Sequence, residues 1–283
     1  MRDWTITGSE GLDLLGVTDT PDAEPRGVAI IVHGFKGYLD YGLFPSLARR
    51  LAEEGWIAHR FNLAHSGMTR NTATFERPDL FARDRWRHQI EDVMSVVGAV
   101  RAGRIEGRGL PLVLIGHSRG GATCLLSAGR HADDLPELSA VVTINAPDAC
   151  CRMSAEDQAR LLREGRIESP SARTGQVLTI EKGWLQEQLD DLEAHDVLAQ
   201  AGRIRVPALV LHAGSDQTVS PEAAVSIAGA LRPPVEPVLI PDADHVLNTP
   251  NPWPSTAPPP PPLGEALDRL ASFLREIPPS QNR

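Results

Sequence analysis

Residues 27–33, Gly-Val-Ala-Ile-Ile-Val-His, are apolar at almost every position, where a half-buried strand would alternate apolar with polar. That is the pattern of a strand covered on both faces. Residues 110–115, 140–144 and 207–212 repeat it, and residues 56–62 and 235–240 read as further strands. Between them the period changes. Leu43, Leu47 and Leu51 fall on one helical face that ends near Gly55, and Trp86, Ile90, Val93, Val97 and Val100 keep the i, i+3/i+4 spacing of a longer helix. A last helix is expected over residues 265–276, and two short strands near residues 4–7 and 12–18 open the chain. Repeated strand–helix alternation predicts an α/β fold: a doubly wound, mostly parallel sheet with helices on both faces.

Two stretches break the rhythm. Residues 146–202 carry charged helical segments and a strand pair around 166–168 and 176–180, which reads as a small cap inserted after the sixth strand, over the carboxyl ends of the strands. The expected organisation is a core from 1–145, the cap insertion at 146–202, and the rest of the core at 203–283. The second stretch, 248–262, ends in the five prolines Pro258 to Pro262 and is expected to be an extended polyproline segment. It reads as a stiff surface loop in preference to a partner-docking motif.

Composition narrows the function. A chain of 283 residues with 41% hydrophobic and 23% charged residues can bury a substantial core. Its net charge of −9 and scattered Lys and Arg argue against nucleic-acid and anionic-membrane partners. Cys124, Cys150 and Cys151 make no disulfide framework, no Cys–His cluster has metal-ligand spacing, and no cofactor is called for. The first residues lack the apolar core of a signal peptide and no segment approaches a membrane span, so a cytoplasmic enzyme is expected.

The chemistry centres on Gly116-His117-Ser118-Arg119-Gly120, which follows an apolar strand and precedes a helix-compatible run. A serine on a sharp strand-to-helix turn projects its hydroxyl clear of the backbone, and the helix start offers amide hydrogens to an anion. Serine needs a base, and the base a carboxylate. Asp216 lies just past the strand ending at His212, and His245 just past the strand ending at Ile240, giving the chain order Ser, Asp, His. His33, His117 and His212 end strands, where neutral hydrogen-bonded roles suffice; His59, His65, His88, His131 and His195 have no motif. Asp242 and Asp244 sit too close to His245 along the loop to reach behind its ring, and Asp148 is the rival acid.

An oxyanion formed at Ser118 needs fixed donors. One is expected from the Arg119 amide, the other from the loop His33-Gly34-Phe35-Lys36-Gly37, where Gly34 lets the chain turn back and the Phe35 amide is the choice. Tyr38 and Tyr41 follow that loop and either line the pocket or pack the next helix; Trp184 in the insertion is a further candidate for the pocket wall.

These motifs, with Arg60-Phe61-Asn62 and His65-Ser66-Gly67, resemble the α/β-hydrolase superfamily across nearly the whole chain. They look most like small-capped serine esterases related to cinnamoyl and feruloyl esterases, a group similar in fold to dienelactone hydrolases and serine aminopeptidases. The resemblance implies Ser118, Asp216 and His245 as triad, Phe35 and Arg119 as oxyanion donors, and a cap that sets specificity. The chain departs from the pattern after His245, where Val246-Leu247-Asn248 leads into the proline-rich loop. The expected activity is hydrolysis of a small-molecule carboxylic ester through an acyl-enzyme. A peptidase or amidase, a thioesterase or acyltransferase, and a non-catalytic binding protein on the same fold are the alternatives. The acids Glu187, Asp190, Asp191 and Glu193 bear on the peptidase reading, but a solvated helix face explains them as well.

Overall fold

The computed structural model describes residues 1–278. Its strands are β1 (Arg2–Thr7), β2 (Asp13–Asp19), β3 (Gly27–Val32), β4 (Trp56–Phe61), β5 (Leu112–His117), β6 (Leu138–Ile144), β7 (Arg166–Pro170), β8 (Val177–Glu181), β9 (Ala208–Ala213) and β10 (Val238–Ile240). Eight of them form one sheet in the order β1-β2-β4-β3-β5-β6-β9-β10. The first two strands pair antiparallel with each other, and β2 runs antiparallel to β4; every pairing from β4 to β10 is parallel. The chain therefore has the α/β fold read from its periodicity.

The continuous apolar runs divide between two cores. In β3, Val28, Ile30 and Val32 face one core while Ala29 and Ile31 face the other; in β5, Leu112 and Leu114 oppose Val113 and Ile115. Helices α1 (Phe44–Glu53) and α9 (Pro261–Glu276) cover one face. The other is covered by α3 (Trp86–Arg101), α4 (Arg119–Arg130), α7 (Val197–Ala201) and α8 (Glu222–Ala230). A strand with period-2 side chains and helices on both sides has no polar face, which is why these strands show no alternation.

Two short elements carry no strong signal in the sequence. Helix α2 (Pro78–Ala82) has only five residues, and the small-residue segment of α8 is nearly uniform in hydropathy. Residues 146–202 hold α5 (Ala155–Glu164), the antiparallel hairpin β7–β8, α6 (Gly183–Asp190) and α7. A third apolar cluster, in which Leu178 of β8 meets Tyr38, Met68, Phe75 and Phe81, seats that hairpin against the loop after β3 and against α2.

The proline run requires a correction. Pro260 is extended at φ −52° and ψ 148°, but Pro261 and Pro262 form the first turn of α9, so that helix starts four residues before the expected 265. Proline has no amide to donate, and the first helical turn has no acceptor for one; its fixed φ already suits the helix. Among the described residues no helix is long and apolar enough to cross a membrane.

Candidate active site

The loop between β5 and α4 forces Ser118 to φ +54° and ψ −128°, outside the ordinary regions for a residue with a side chain. The glycines flanking it are steric requirements. A Cβ at Gly116 would lie 2.2 Å from the Gly120 carbonyl oxygen, and one at Gly120 would lie 2.2 Å from that of Val32. Across the cleft, a Cβ on Gly34 would sit 2.9 Å from Ser118 Cβ, so the loop after β3 comes this close only as glycine.

The loops after β9 and β10 carry the other two predicted groups to this serine. Ser118 Oγ lies 2.9 Å from His245 Nε2, and His245 Nδ1 lies 2.7 Å from Asp216 Oδ2. Asp216 Oδ1 accepts from the amides of Thr218 and Val219 at 2.8 and 2.9 Å, which fixes the carboxylate plane. Burial pushes the Asp216 carboxyl up, but the hydrogen bond from His245 and these amides outweigh it and hold it below the usual carboxylate range. With Asp216 ionised, the network assigns the Nδ1–H tautomer to His245 and leaves Nε2 to accept from the serine hydroxyl.

The other acids near the cleft are engaged elsewhere. Asp148 Oδ1 accepts from Arg152 at 3.2 Å, and Asp244 Oδ1 accepts from the amides of Val246 and Asn248.

A residue not singled out in the sequence holds His245. Its backbone carbonyl accepts from His117 Nε2 at 2.7 Å and from Asn145 Nδ2 at 2.8 Å. Asn145 is fully buried at φ +53°; its Oδ1 accepts from the Ala213 amide at 2.7 Å and its own amide donates to Leu211. One side chain therefore ties the ends of β6 and β9 to the His245 loop. The available signal was an asparagine directly after an apolar strand, since asparagine tolerates the left-handed region. Asn145→Ala is expected to lower kcat about tenfold or more with a much smaller change in KM, because a misplacement of about 1 Å costs up to about 10²-fold. Steady-state kinetics on a p-nitrophenyl ester would check the split.

His33 shapes the opposite wall: its Nδ1 donates to Gly34 O at 2.8 Å and its Nε2 accepts from the Leu63 amide at 3.1 Å. The amides of Phe35 and Arg119 find no acceptor among the described residues, which leaves both free for a bound oxyanion.

Burial pushes His33 and His59 down to about 4, and His88 and His117 to about 3. Unfolded, these four imidazoles take up protons near pH 6.5; folded, they stay neutral to far lower pH. The unfolded chain thus binds more protons below pH 6.5, and stability drains as pH falls toward 4. Asp92 and Glu187, raised by burial to about 7, and Asp84, also raised by burial, pull the other way, while burial lowers His195 and His212 as well. With three carboxyls against six imidazoles, the Tm is expected to fall between pH 7 and pH 5. Calorimetry across that interval checks the sign; a Tm that rises contradicts it.

Two cavity lobes open beside Ser118, and the half-exposed Phe35 lines both. One, of about 350 Å3, is walled by Phe35, Phe81, Trp86, Ile180 and Trp184 with Arg119 at its base. The Arg119 guanidinium lies 3.2 Å from Asp84 and 4.6 Å from the Trp86 ring centre. The other lobe, of about 330 Å3, holds Gly34, Lys36, Tyr41, Arg173 and His245. Gly34 and Trp184 thus line the cleft, but Tyr38 does not. It is 4% exposed, packs in the third apolar cluster, and donates its hydroxyl to Asn251 Oδ1 at 3.0 Å. Its ring supports the turn, and Tyr41, edge-on to it, reaches the cavity instead.

Among the described residues one group with metal-ligand spacing, Glu10, His65 and His88, forms from residues distant in sequence, and none of the three lines either lobe. The two imidazoles stack with ring centres 4.0 Å apart and planes 19° from parallel, so their lone pairs do not converge on one ion. Arg83 and Arg87 complete it as a polar cluster.

Residues 23–161 match a family model described as serine aminopeptidase, S33. The fold is similar to that of Est1E from Butyrivibrio proteoclasticus (17% identity, 97% of this chain and 98% of that one, TM-score 0.69), a protein also solved with ferulic acid bound. It is similar too to the esterase domain of a Rhodothermus marinus protein (24% identity, 97% of each chain, TM-score 0.64). The third is mouse alpha/beta hydrolase domain-containing protein 10 (16% identity, 98% and 100%, TM-score 0.71). At the level of sequence no curated protein matches. Over residues 23–161 the chain is thus similar to that family, and its fold is similar to that of these esterases and the alpha/beta hydrolase.

Proposed function

We propose that the protein is a serine esterase that cleaves carboxylic esters through an acyl-enzyme. The observation that carries this reading is the unbroken hydrogen-bond line from Ser118 Oγ through His245 to Asp216, at 2.9 and 2.7 Å. In the proposed reaction His245 Nε2 takes the hydroxyl proton as Ser118 Oγ attacks the ester carbonyl. The carbonyl oxygen becomes an oxyanion held by the Phe35 and Arg119 amides. When that intermediate collapses, the bond to the alcohol breaks and His245 gives the proton to the departing oxygen. Water repeats the sequence on the acyl-enzyme and frees the acid and Ser118. Asp216 stabilises the imidazolium throughout.

Residues 146–202 serve as the cap in this reading, because β7, β8 and α6 supply Ile167, Ile180 and Trp184 to the larger lobe. The aromatic wall favours an aryl or cinnamoyl-type acyl group, in line with the ferulic acid bound to Est1E. The partner is a small-molecule ester, with neither nucleic acid nor membrane involved. The three free thiols suit the reducing cytoplasm.

The name of the matched family favours a second reading, an aminopeptidase, which needs a carboxylate to hold the substrate's α-amine. Here Glu187 accepts from the Trp86 amide and so is turned toward backbone. Parallel assays of p-nitrophenyl esters and aminoacyl p-nitroanilides decide between the two. Faster turnover of the anilides would replace the esterase reading.

A further inference from the structure

The two lobes beside Ser118 differ in charge. Lys36 and Arg173 both face the lobe that holds His245, and no Asp or Glu lines it. In a chain with net charge −9, a lobe of the cleft with two cations and no carboxylate is a local reversal of sign. The neighbouring acids are committed elsewhere: Asp244 to two amides, Asp216 to His245 from behind, and Glu168 to the other lobe.

Among the described residues neither cation has a counter-ion, yet both are held in place. Lys36 Nζ donates to Pro170 O at 2.6 Å, which leaves two of its three donors unused, and Arg173 Nη1 donates to Thr72 O at 2.6 Å. The Arg173 guanidinium lies over the rings of Tyr38 and Phe75, 5.0 and 4.9 Å from their centres, a pre-organised platform. Lys36 sits at φ +58°, where glycine or asparagine would cost less, and partial burial holds its ammonium below its ordinary range. A partly desolvated ammonium whose partners are the Pro170 carbonyl and the Phe35 ring, 5.2 Å from its centre, carries an uncompensated charge and gains from an anion.

Which half of an ester enters this lobe follows from proton transfer. His245 must hand its proton to the departing oxygen, so the alcohol lies on the His245 side, and His245 lines only this lobe. We propose, building on the esterase reading, that the substrate joins an apolar, aromatic acyl group to an alcohol bearing an anionic group, carboxylate or phosphate, which Lys36 and Arg173 bind.

The test compares kcat/KM for four benzoate esters that share one acyl group: ethyl, carboxymethyl, 2-phosphoethyl and choline. Each ratio to the ethyl ester is measured in the wild type and in the Lys36→Met, Arg173→Met and double variants. Intrinsic leaving-group reactivity is the same in every protein, so a change in ratio reports the lobe. The expected result is an anionic-to-neutral ratio that falls about tenfold or more in the double variant, while the choline ratio rises. Which of the two anionic ratios falls further identifies the natural anion. In the wild type the same ratio should shrink as ionic strength rises from about 0.05 to 0.5 M, a readout that depends on no variant's folding. Ratios indifferent to both the substitutions and salt overturn the anion site and leave the esterase standing. Hydrolysis of none of the four, and of no p-nitrophenyl ester, overturns both.

Discussion

Ser118→Ala is expected to lower kcat for p-nitrophenyl esters by roughly 10⁴-fold or more, with the Tm moved by no more than about 3 °C. The two halves of this expectation have separate causes. Alanine keeps the Cβ that φ +54° already accommodates, so the strained turn is no better and no worse for the change. What disappears is Oγ, which makes one hydrogen bond, to His245 at 2.9 Å, at the edge of a solvent-open cleft. Such a bond contributes about 1 kcal/mol to stability. In the proposed chemistry the same atom forms the covalent bond, and among the described residues no other hydroxyl hydrogen-bonds to His245 Nε2. The Phe35 and Arg119 amides would still polarise a carbonyl, leaving a residual rate over water. Covalent labelling by a fluorophosphonate should vanish altogether. Wild-type turnover in the alanine variant, or labelling that persists at another residue, would remove Ser118 from the mechanism.

The legible part of this protein is the part whose physics is local. An apolar run of six residues announces a strand buried on both faces, and Gly116-His117-Ser118-Arg119-Gly120 announces a turn that only glycine can close. Asp216 and His245 were readable because each follows a strand directly, so the parallel sheet delivers both to one edge. Side-chain direction was not readable. Tyr38 and Tyr41 lie three residues apart in one loop, and only packing against Leu178 and Phe75, distant in sequence, sends the first inward and the second to the cavity. Asn145 escaped for a related reason, since its value lies in bridging β6, β9 and the His245 loop, a junction that exists only after the sheet has formed. Lys36 and Arg173 are 137 positions apart, and the hairpin that ends in β8 brings them together. The start of α9 was hidden by its prolines, which signal extended chain in composition and helix initiation in position.

The strongest test of the relay behind Ser118 is Asp216→Asn, expected to lower kcat by about 10⁴-fold with a small effect on KM. The orientation of the new amide decides the effect. Oδ1 of residue 216 accepts from the Thr218 and Val219 amides at 2.8 and 2.9 Å, so the carboxamide oxygen must take that place. Its NH₂ is then forced to the position of Oδ2, 2.7 Å from His245 Nδ1. Two donors cannot face each other there, so the imidazole must shift its proton to Nε2. That nitrogen now points a proton at Ser118 Oγ and cannot accept one, while the geometry stays nearly unaltered. Fluorophosphonate labelling should therefore be slowed rather than abolished, in contrast to Ser118→Ala. Asp148→Asn serves as the companion measurement, because Asp148 is paired with Arg152 at 3.2 Å and takes no part in the relay. Its kcat should stay within about twofold of wild type, as expected of a surface polar change. A large loss at Asp148 with a small one at Asp216 would move the supporting acid to the end of β6.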